Sequence, residues 1–290
     1  MQVPEKLAPL PELAFSEAQI DNVVQRSPML QEILTSQSIS DGPVECCPDA
    51  MTAVPLAITP NVSKLEMTLD DNSIRPAFDI FGATPHQGEM FIVKLIRLAT
   101  QEAPFPSHQL FGNLTDVHLC RYGPNCAGWD FSIVLLFLSI PSMRRLASIG
   151  CRTYNFEGPS SHGSSNVEDL TFMEHTVFES AIQSALTMCK ALTRFTSVKN
   201  CTGCASHEHA FDYSRVQPEL LLHQNSLGYL RLQSDDHAIH DYDDWHFDSR
   251  IGVLSEMYAL NELVLDHFVL YGVDDSTALP LSAILPPGLK

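Results

Sequence analysis

The residues of this sequence best suited to bind a metal ion are two cysteines and two histidines in one short segment. It reads Cys201-Thr-Gly-Cys204-Ala-Ser-His207-Glu-His209. Two thiolates and two imidazoles can hold a tetrahedral zinc ion, and two residues between cysteines is a common zinc-site spacing. The single residue between the histidines is atypical, because a structural site usually draws its second pair of ligands from further away. The segment is therefore either a zinc-stabilised module, part of a metal-dependent enzyme, or a long loop that binds nothing.

A second segment, between residues 235 and 248, combines carboxylates with imidazoles. Its residues are Asp235, Asp236, His237, His240, Asp241, Asp243, Asp244, His246 and Asp248. Carboxylate oxygens could bind a divalent cation here. A solvated acidic loop is the commoner outcome for such a composition, and we interpret the segment in that way.

The sequence carries no familiar catalytic motif. It contains no Walker loop, no His-Glu-x-x-His, no Gly-x-Ser-x-Gly and no dinucleotide-binding glycine pattern. The segment from Gly158 to Gly163 holds serine and histidine, but such close neighbours in sequence indicate a flexible turn. We expect a chain that is not an enzyme and needs no cofactor.

The elements that must position these residues are indicated by a six-residue phrase, apolar-x-x-apolar-x-apolar or a near variant, that recurs seven times. The phrases begin at Val62, Leu114, Met143, Val167, Leu192, Leu227 and Leu260. Their starts are 24 to 52 residues apart. A repeat of this length is typical of a solenoid, in which each unit buries its apolar face against its neighbours. The gap after the first phrase is about two periods, which leaves room for one degenerate strand.

Each phrase predicts a short strand, because apolar and polar residues alternate in its second half. Helical signals lie between the phrases: a capping-box spacing from Thr176 to Glu179, Asp130 as an N-cap and Pro218 in a first turn. Apolar residues after Ser249 and near Phe91 suggest two more helices. The order predicts an α/β fold, with a curved parallel sheet inside and helices outside.

The two ends of the chain differ from its middle. Residues 1–54 predict a helical N-terminal cap followed by a linker, and residues 55–290 hold the repeats. Leu289 stands where an eighth phrase would begin, so we expect the chain to end inside a repeat.

The phrases match the leucine-rich-repeat pattern. Segments such as Ile140–Leu146, Val167–Leu170 and Leu285–Leu289 resemble fungal leucine-rich-repeat proteins, many of which carry an F-box. The pattern wants Asn or Cys three residues after the last strand position. Cys151 and Asn200 fit, whereas Asp70, Tyr122, His175, Asp235 and Phe268 depart from it. These departures and the unequal periods imply an irregular solenoid.

The resemblance also implies a function. A protein of this type would act as the substrate receptor of a ubiquitin ligase, with a cullin adaptor as a second partner. The adaptor would bind an N-terminal F-box. The segment Pro9–Leu13 is faintly similar to the opening of an F-box, but the residues after it do not continue the motif.

The repeat register predicts which residues line the concave face of the sheet, because strand residues beside a buried position point the opposite way. The predicted partner-binding residues are Lys64, Glu66, Asp116, His118, Arg145, Asp169, Thr171, Arg194, Thr196, Tyr229, Arg231 and Glu262, with the uncharged Ala147 and Val264 in the same row. Their formal charges sum to zero. Arg and Tyr are favoured at protein interfaces, so we expect a protein partner.

The net charge of the chain bears on which kinds of partner it can bind. The formal net charge of −18 opposes binding to nucleic-acid phosphates or anionic lipid. The N-terminus lacks the pattern of a signal peptide, and no apolar run is long enough to span a bilayer. We therefore expect a cytoplasmic or nuclear protein whose eight cysteines are free thiols.

Overall fold

A seven-stranded parallel sheet organises the chain. The computed structural model describes residues 61–69, 96, 111–121, 128–153, 162–199, 211–234, 250–271, 279–286 and 288–289. The strands are β1 (Lys64–Leu69), β2 (Asp116–Arg121), β3 (Arg145–Ile149), β4 (Asp169–His175), β5 (Arg194–Lys199), β6 (Tyr229–Ser234) and β7 (Glu262–Leu265). Each strand pairs in parallel with the next one in sequence, in the order β1 to β7. The seven phrases thus supply the seven strands, and the expected α/β class with a parallel sheet is confirmed.

No strand lies between β1 and β2 in this sheet. Six consecutive residues of β1 align directly with six of β2, from Lys64 opposite Asp116 to Leu69 opposite Arg121. The expectation of a degenerate strand between them was wrong for this position, because continuous pairing leaves no room for one. Of the residues in the gap, Ile96 is helical and fully buried.

The apolar phrase positions form aligned rows on the covered face of the sheet. One row is Leu65, Val117, Leu146, Leu170, Phe195, Leu230 and Leu263. Its five central members are buried, whereas Leu65 and Leu263 on the outer strands are only partly buried. Because each row crosses all seven strands, the apolar side chains of each strand lie beside those of the neighbouring strands.

A shared backbone contact recurs at the start of every strand. The carbonyl oxygen just before one strand accepts two N–H groups from the next repeat, as when Glu168 receives bonds from Thr193 and Arg194. The residues whose carbonyl oxygens accept two such bonds are Ser63, Thr115, Arg144, Glu168, Thr193 and Gly228. This contact fixes the register between neighbouring repeats where the strands begin.

Helix α1 (Phe131–Leu138) has the N-cap that the sequence predicts. The Asp130 side chain accepts a hydrogen bond from the Ser132 backbone N–H at 2.8 Å. The helix ends before Pro141, and the ring of its buried Phe131 lies 5.4 Å from that of Phe172 in β4. Helix α1 therefore packs against the covered face of the sheet.

Helix α2 (Glu179–Met188) begins later than the capping-box spacing suggests. Its N-cap is Phe178, and no side chain caps it. The Thr176 N–H is already bonded to the Cys151 carbonyl, so Thr176 belongs to a bridge between repeats. The Glu179 carboxylate accepts a bond from the backbone of Asp212 at 2.6 Å instead of closing a capping box.

The remaining helices are short. They are a 3₁₀ turn (Tyr213–Arg215), α3 (Gln217–Leu221), α4 (His267–Tyr271) and α5 (Leu281–Ile284). Pro218 lies in the first turn of α3, as expected. The helix predicted after Ser249 is not formed at residues 250–261, although Ile251, Leu254 and Met257 are fully buried there. Gly252 has a left-handed backbone (φ +78°), which interrupts a helix.

Several predicted features lie outside the described residues. They are the N-terminal cap and linker (residues 1–54), the Cys201-to-His209 segment and the acidic segment 235–248. Within the part of the chain that the structure describes, no helix has the length and hydropathy needed to cross a membrane.

Candidate functional site

The open face of the sheet carries the polar strand residues that the repeat register predicts for a binding surface. We define the open face by two aligned rows. The first row is Lys64, Asp116, Arg145, Asp169, Arg194, Tyr229 and Glu262, and the second is Glu66, His118, Ala147, Thr171, Thr196, Arg231 and Val264. All fourteen are exposed or half-buried. The structure thus brings the predicted site residues together on one surface.

Charges alternate in sign along the first row, and neighbours pair across strands. Arg145 of β3 forms an ion pair with Asp116 of β2. Arg194 of β5 lies 3.8 Å from the Asp169 carboxylate of β4, measured from Nε to Oδ2. The side chains of Arg145 and Arg194 remain 60% and 51% exposed. Both guanidinium groups are therefore positioned by a neighbouring carboxylate and still accessible to a partner.

The pKa values of the two aspartates in this row, Asp116 and Asp169, are shifted in opposite directions. Burial alone would raise the pKa of Asp116, but hydrogen bonds from Thr115 and Arg145 and the charges of Arg145 and Lys64 outweigh it and lower that pKa. At Asp169 burial dominates and raises the pKa, although Arg194 and Arg145 act against it. The nearby arginines therefore offset the cost of burying the Asp169 carboxylate only in part.

An arginine and a tyrosine stack at the β5–β6 junction. The guanidinium carbon of Arg194 lies 4.1 Å from the centre of the Tyr229 ring, a cation–π geometry. In the next row, Arg231 donates from Nε to the Gln233 side chain at 2.6 Å. These contacts hold two arginines and an aromatic ring in place on the open face.

A third row on the same face was not identified from the sequence. Ile149, Met173 and Val198 align on β3, β4 and β5, and all three are half-buried. Their signal in the sequence is that each lies two positions beyond a second-row residue and therefore shares its face. The open face therefore combines the charged first row with apolar side chains at the far end of the same strands.

The turn after β4 is fixed by the buried His175, one of the departures from the leucine-rich pattern. Its Nδ1 accepts a hydrogen bond from the Val177 N–H at 3.3 Å, and Nε2 donates to the Ser197 hydroxyl at 2.8 Å. Glu174 just before it has a left-handed backbone (φ 51°), as Gly150 (φ 78°) has before Cys151. His175 therefore ties the backbone after β4 to the neighbouring strand β5.

A carboxylate, an imidazole and a thiol meet where β1 pairs with β2. The ligand atoms of Glu66, His118 and Cys120 all lie within 4.8 Å of one another. Partial burial and the charge of Glu66 raise the pKa of the Cys120 thiol. Burial raises the pKa of Cys151 and of Cys189 to about 12, so these two thiols are protonated and unreactive at neutral pH.

Comparisons with known proteins add no assignment to this geometry. No protein-family model, no curated protein and no solved structure matches the chain.

Proposed function

We propose that the chain is an irregular leucine-rich-repeat solenoid that binds a protein partner on its open face, which is the concave wall of the solenoid. It acts as a recognition scaffold and performs no chemistry itself. The observation that carries this proposal is the first row of the open face, where charges alternate across consecutive strands and Arg194 stacks on Tyr229.

The sequential order of the strands supports the solenoid. All six pairings join consecutive strands, and the shared carbonyl contact recurs at each of the six junctions. In a stack of repeats each unit contacts its neighbours in the same way, so the same bonds return at every step. A sheet wound in another order would not repeat this contact in sequence.

The charge balance supports a protein as the partner. The chain has a formal net charge of −18, yet the charges of the first two rows of the open face sum to zero. Neutral surfaces that present arginine and tyrosine side chains suit protein interfaces, whereas nucleic acids need a positive surface. The neighbouring carboxylates hold Arg145 and Arg194 in place, which reduces the conformational entropy lost when a partner binds.

The resemblance of the phrases to fungal leucine-rich-repeat proteins extends the proposal. In such a protein the repeats hold the substrate of a ubiquitin ligase, and a cullin adaptor binds a separate N-terminal element. Residues 1–54 would supply that element here. The open face would then be the substrate-binding half of the molecule.

The open face is tested by reversing two of its charges. Arg194→Glu combined with Arg231→Glu should reduce recovery of the specific partner at least about tenfold, because each arginine is an accessible interface anchor. The measurement is affinity purification of the tagged chain, with quantitative identification of the co-eluting proteins. The specific partners are the proteins that co-elute with the unmodified chain and are lost with the double variant.

The matched control carries the same charge change away from the open face. Lys190 follows α2 and Arg215 ends the 3₁₀ turn, and both are exposed. Lys190→Glu with Arg215→Glu should retain the partner. Equal recovery with both double variants would remove the open face from the proposal, and recovery of a cullin adaptor would assign the ubiquitin-ligase role.

A further inference from the structure

Three potential metal ligands converge at the β1–β2 edge of the open face. Glu66 aligns directly with His118 across the two strands, and Cys120 lies two residues beyond His118 on β2. Residues two apart in a strand point to the same face, so His118 and Cys120 project toward the same side as Glu66. The ligand atoms of all three lie within 4.8 Å of one another.

The donor types select the metal. Imidazole nitrogen, thiolate sulfur and carboxylate oxygen are the three ligand types that zinc takes in proteins, at about 2.0–2.3 Å. Calcium and magnesium prefer sites made of oxygen alone, so the nitrogen and sulfur donors exclude them. A thiolate and a carboxylate with a neutral imidazole also balance the two positive charges of the ion.

The surroundings leave these donors available. Within the part of the chain that the structure describes, no cation pairs with Glu66. Arg121, the next residue after Cys120, is held by Glu174 at 2.7 Å. Glu66 and His118 are exposed and Cys120 is half-buried, so an ion can reach the three donors from solvent.

We propose that Glu66, His118 and Cys120 bind one zinc ion on the open face. Three protein ligands leave the fourth tetrahedral position to water or to a donor from outside the chain. On binding, the Cys120 thiol proton is released to solvent and the zinc–sulfur bond forms in its place. The proposal uses no residue of the Cys201-to-His209 segment and does not depend on the identity of any protein partner.

Cobalt(II) is the spectroscopic probe of this site, because it replaces zinc and shows a charge-transfer band only when a thiolate is bound. The full chain carrying Cys201→Ser and Cys204→Ser should be stripped with a chelator and titrated with Co²⁺. In this background we expect one equivalent of Co²⁺ to bind with a thiolate band and to be displaced by Zn²⁺. No thiolate band would overturn the proposal.

Three single changes in the same background assign the ligands. Cys120→Ser should abolish the thiolate band. Glu66→Gln and His118→Gln should each weaken Co²⁺ binding by more than about tenfold, since even outer-shell partners of metal ligands contribute that much. His162→Gln changes an exposed histidine elsewhere and should bind as the background does.

Folding is checked separately by far-UV circular dichroism of each variant. The exposed Glu66 keeps the test decisive, because its replacement does not disturb the core. A thiolate band that survives Cys120→Ser, or an affinity unchanged by Glu66→Gln, would exclude the site. These readouts do not depend on partner capture, so failure of the metal site and failure of the proposed binding face can be told apart.

Discussion

At the scale of single residues, His175 shows how a buried imidazole fixes the backbone between two strands. The imidazole is fully buried, bonds the Val177 backbone with one nitrogen and bonds Ser197 of the next strand with the other. His223 has a similar role between repeats, because its nitrogens contact the Leu192 N–H and the Leu186 carbonyl. Both histidines must be neutral, since no acceptor is present for a second proton in these contacts.

His175 should make stability depend on pH. Burial, with the charge of Lys199, lowers the pKa of His175 to about 3, well below its ordinary value of 6.5. Between these values the unfolded chain binds a proton and the folded chain does not, so stability is lost as pH falls. The loss from one such group is about 1.4 kcal/mol per pH unit, or about 2 kcal/mol between pH 6.5 and 5.

Urea unfolding at pH 7 and pH 5 measures this loss. The difference between the two free energies of unfolding should shrink by about 2 kcal/mol in His175→Asn, which keeps a side chain able to bond the turn. His267→Asn changes an exposed histidine outside both contacts and should keep the wild-type difference. Burial also lowers the pKa of His223, so part of the acid sensitivity should remain in His175→Asn.

At the scale of elements, strands were easier to predict than helix starts. The strand signal is local and repeats seven times, so β1 to β7 lie at the predicted phrases. The start of α2 depends instead on contacts that sequence spacing does not contain, because Thr176 is bonded to Cys151 and Phe178 to Thr153 of the preceding repeat. The cluster of Glu66, His118 and Cys120 was missed for a similar reason, since it requires direct pairing of β1 with β2 across the long gap.

The alternation within the strands gives a direct test of the sheet. Leu170 of β4 is fully buried, and Leu170→Asp should cost roughly 3 kcal/mol or more, through a buried unpaired charge and lost packing. Thr196→Asp places the same group on the open face of β5 beside Arg194, and should change stability by less than about 1 kcal/mol. Similar denaturation midpoints for the two variants would contradict the assignment of faces.

At the scale of the whole molecule, stability should be greatest in the middle of the sheet. The core rows are buried in the central strands and only partly buried in β1 and β7. Each central strand also has a partner on both edges, whereas among the described strands β1 and β7 have one partner each. The repeats therefore do not contribute equally, even though their backbone contacts are alike.

Hydrogen exchange followed by mass spectrometry measures this gradient. Peptides that cover β3, β4 and β5 should exchange most slowly, and those that cover β1 and β7 should exchange sooner, because locally exposed hydrogen bonds open first. Equal protection in all seven strands would show that the sheet opens only as one unit.

The shared carbonyl contact at the strand starts has a consequence for how such a chain can change its length. At every junction one carbonyl oxygen accepts two N–H groups from the following unit. A residue inserted at a strand start would therefore shift the pairing of the whole strand. Residues can be inserted between the strands without this effect. The phrase starts are 24 to 52 residues apart, yet the contact at the junctions is the same. Gene lineages that carry this architecture should therefore accumulate insertions and deletions on the helical side, and gain or lose sheet positions only as complete units.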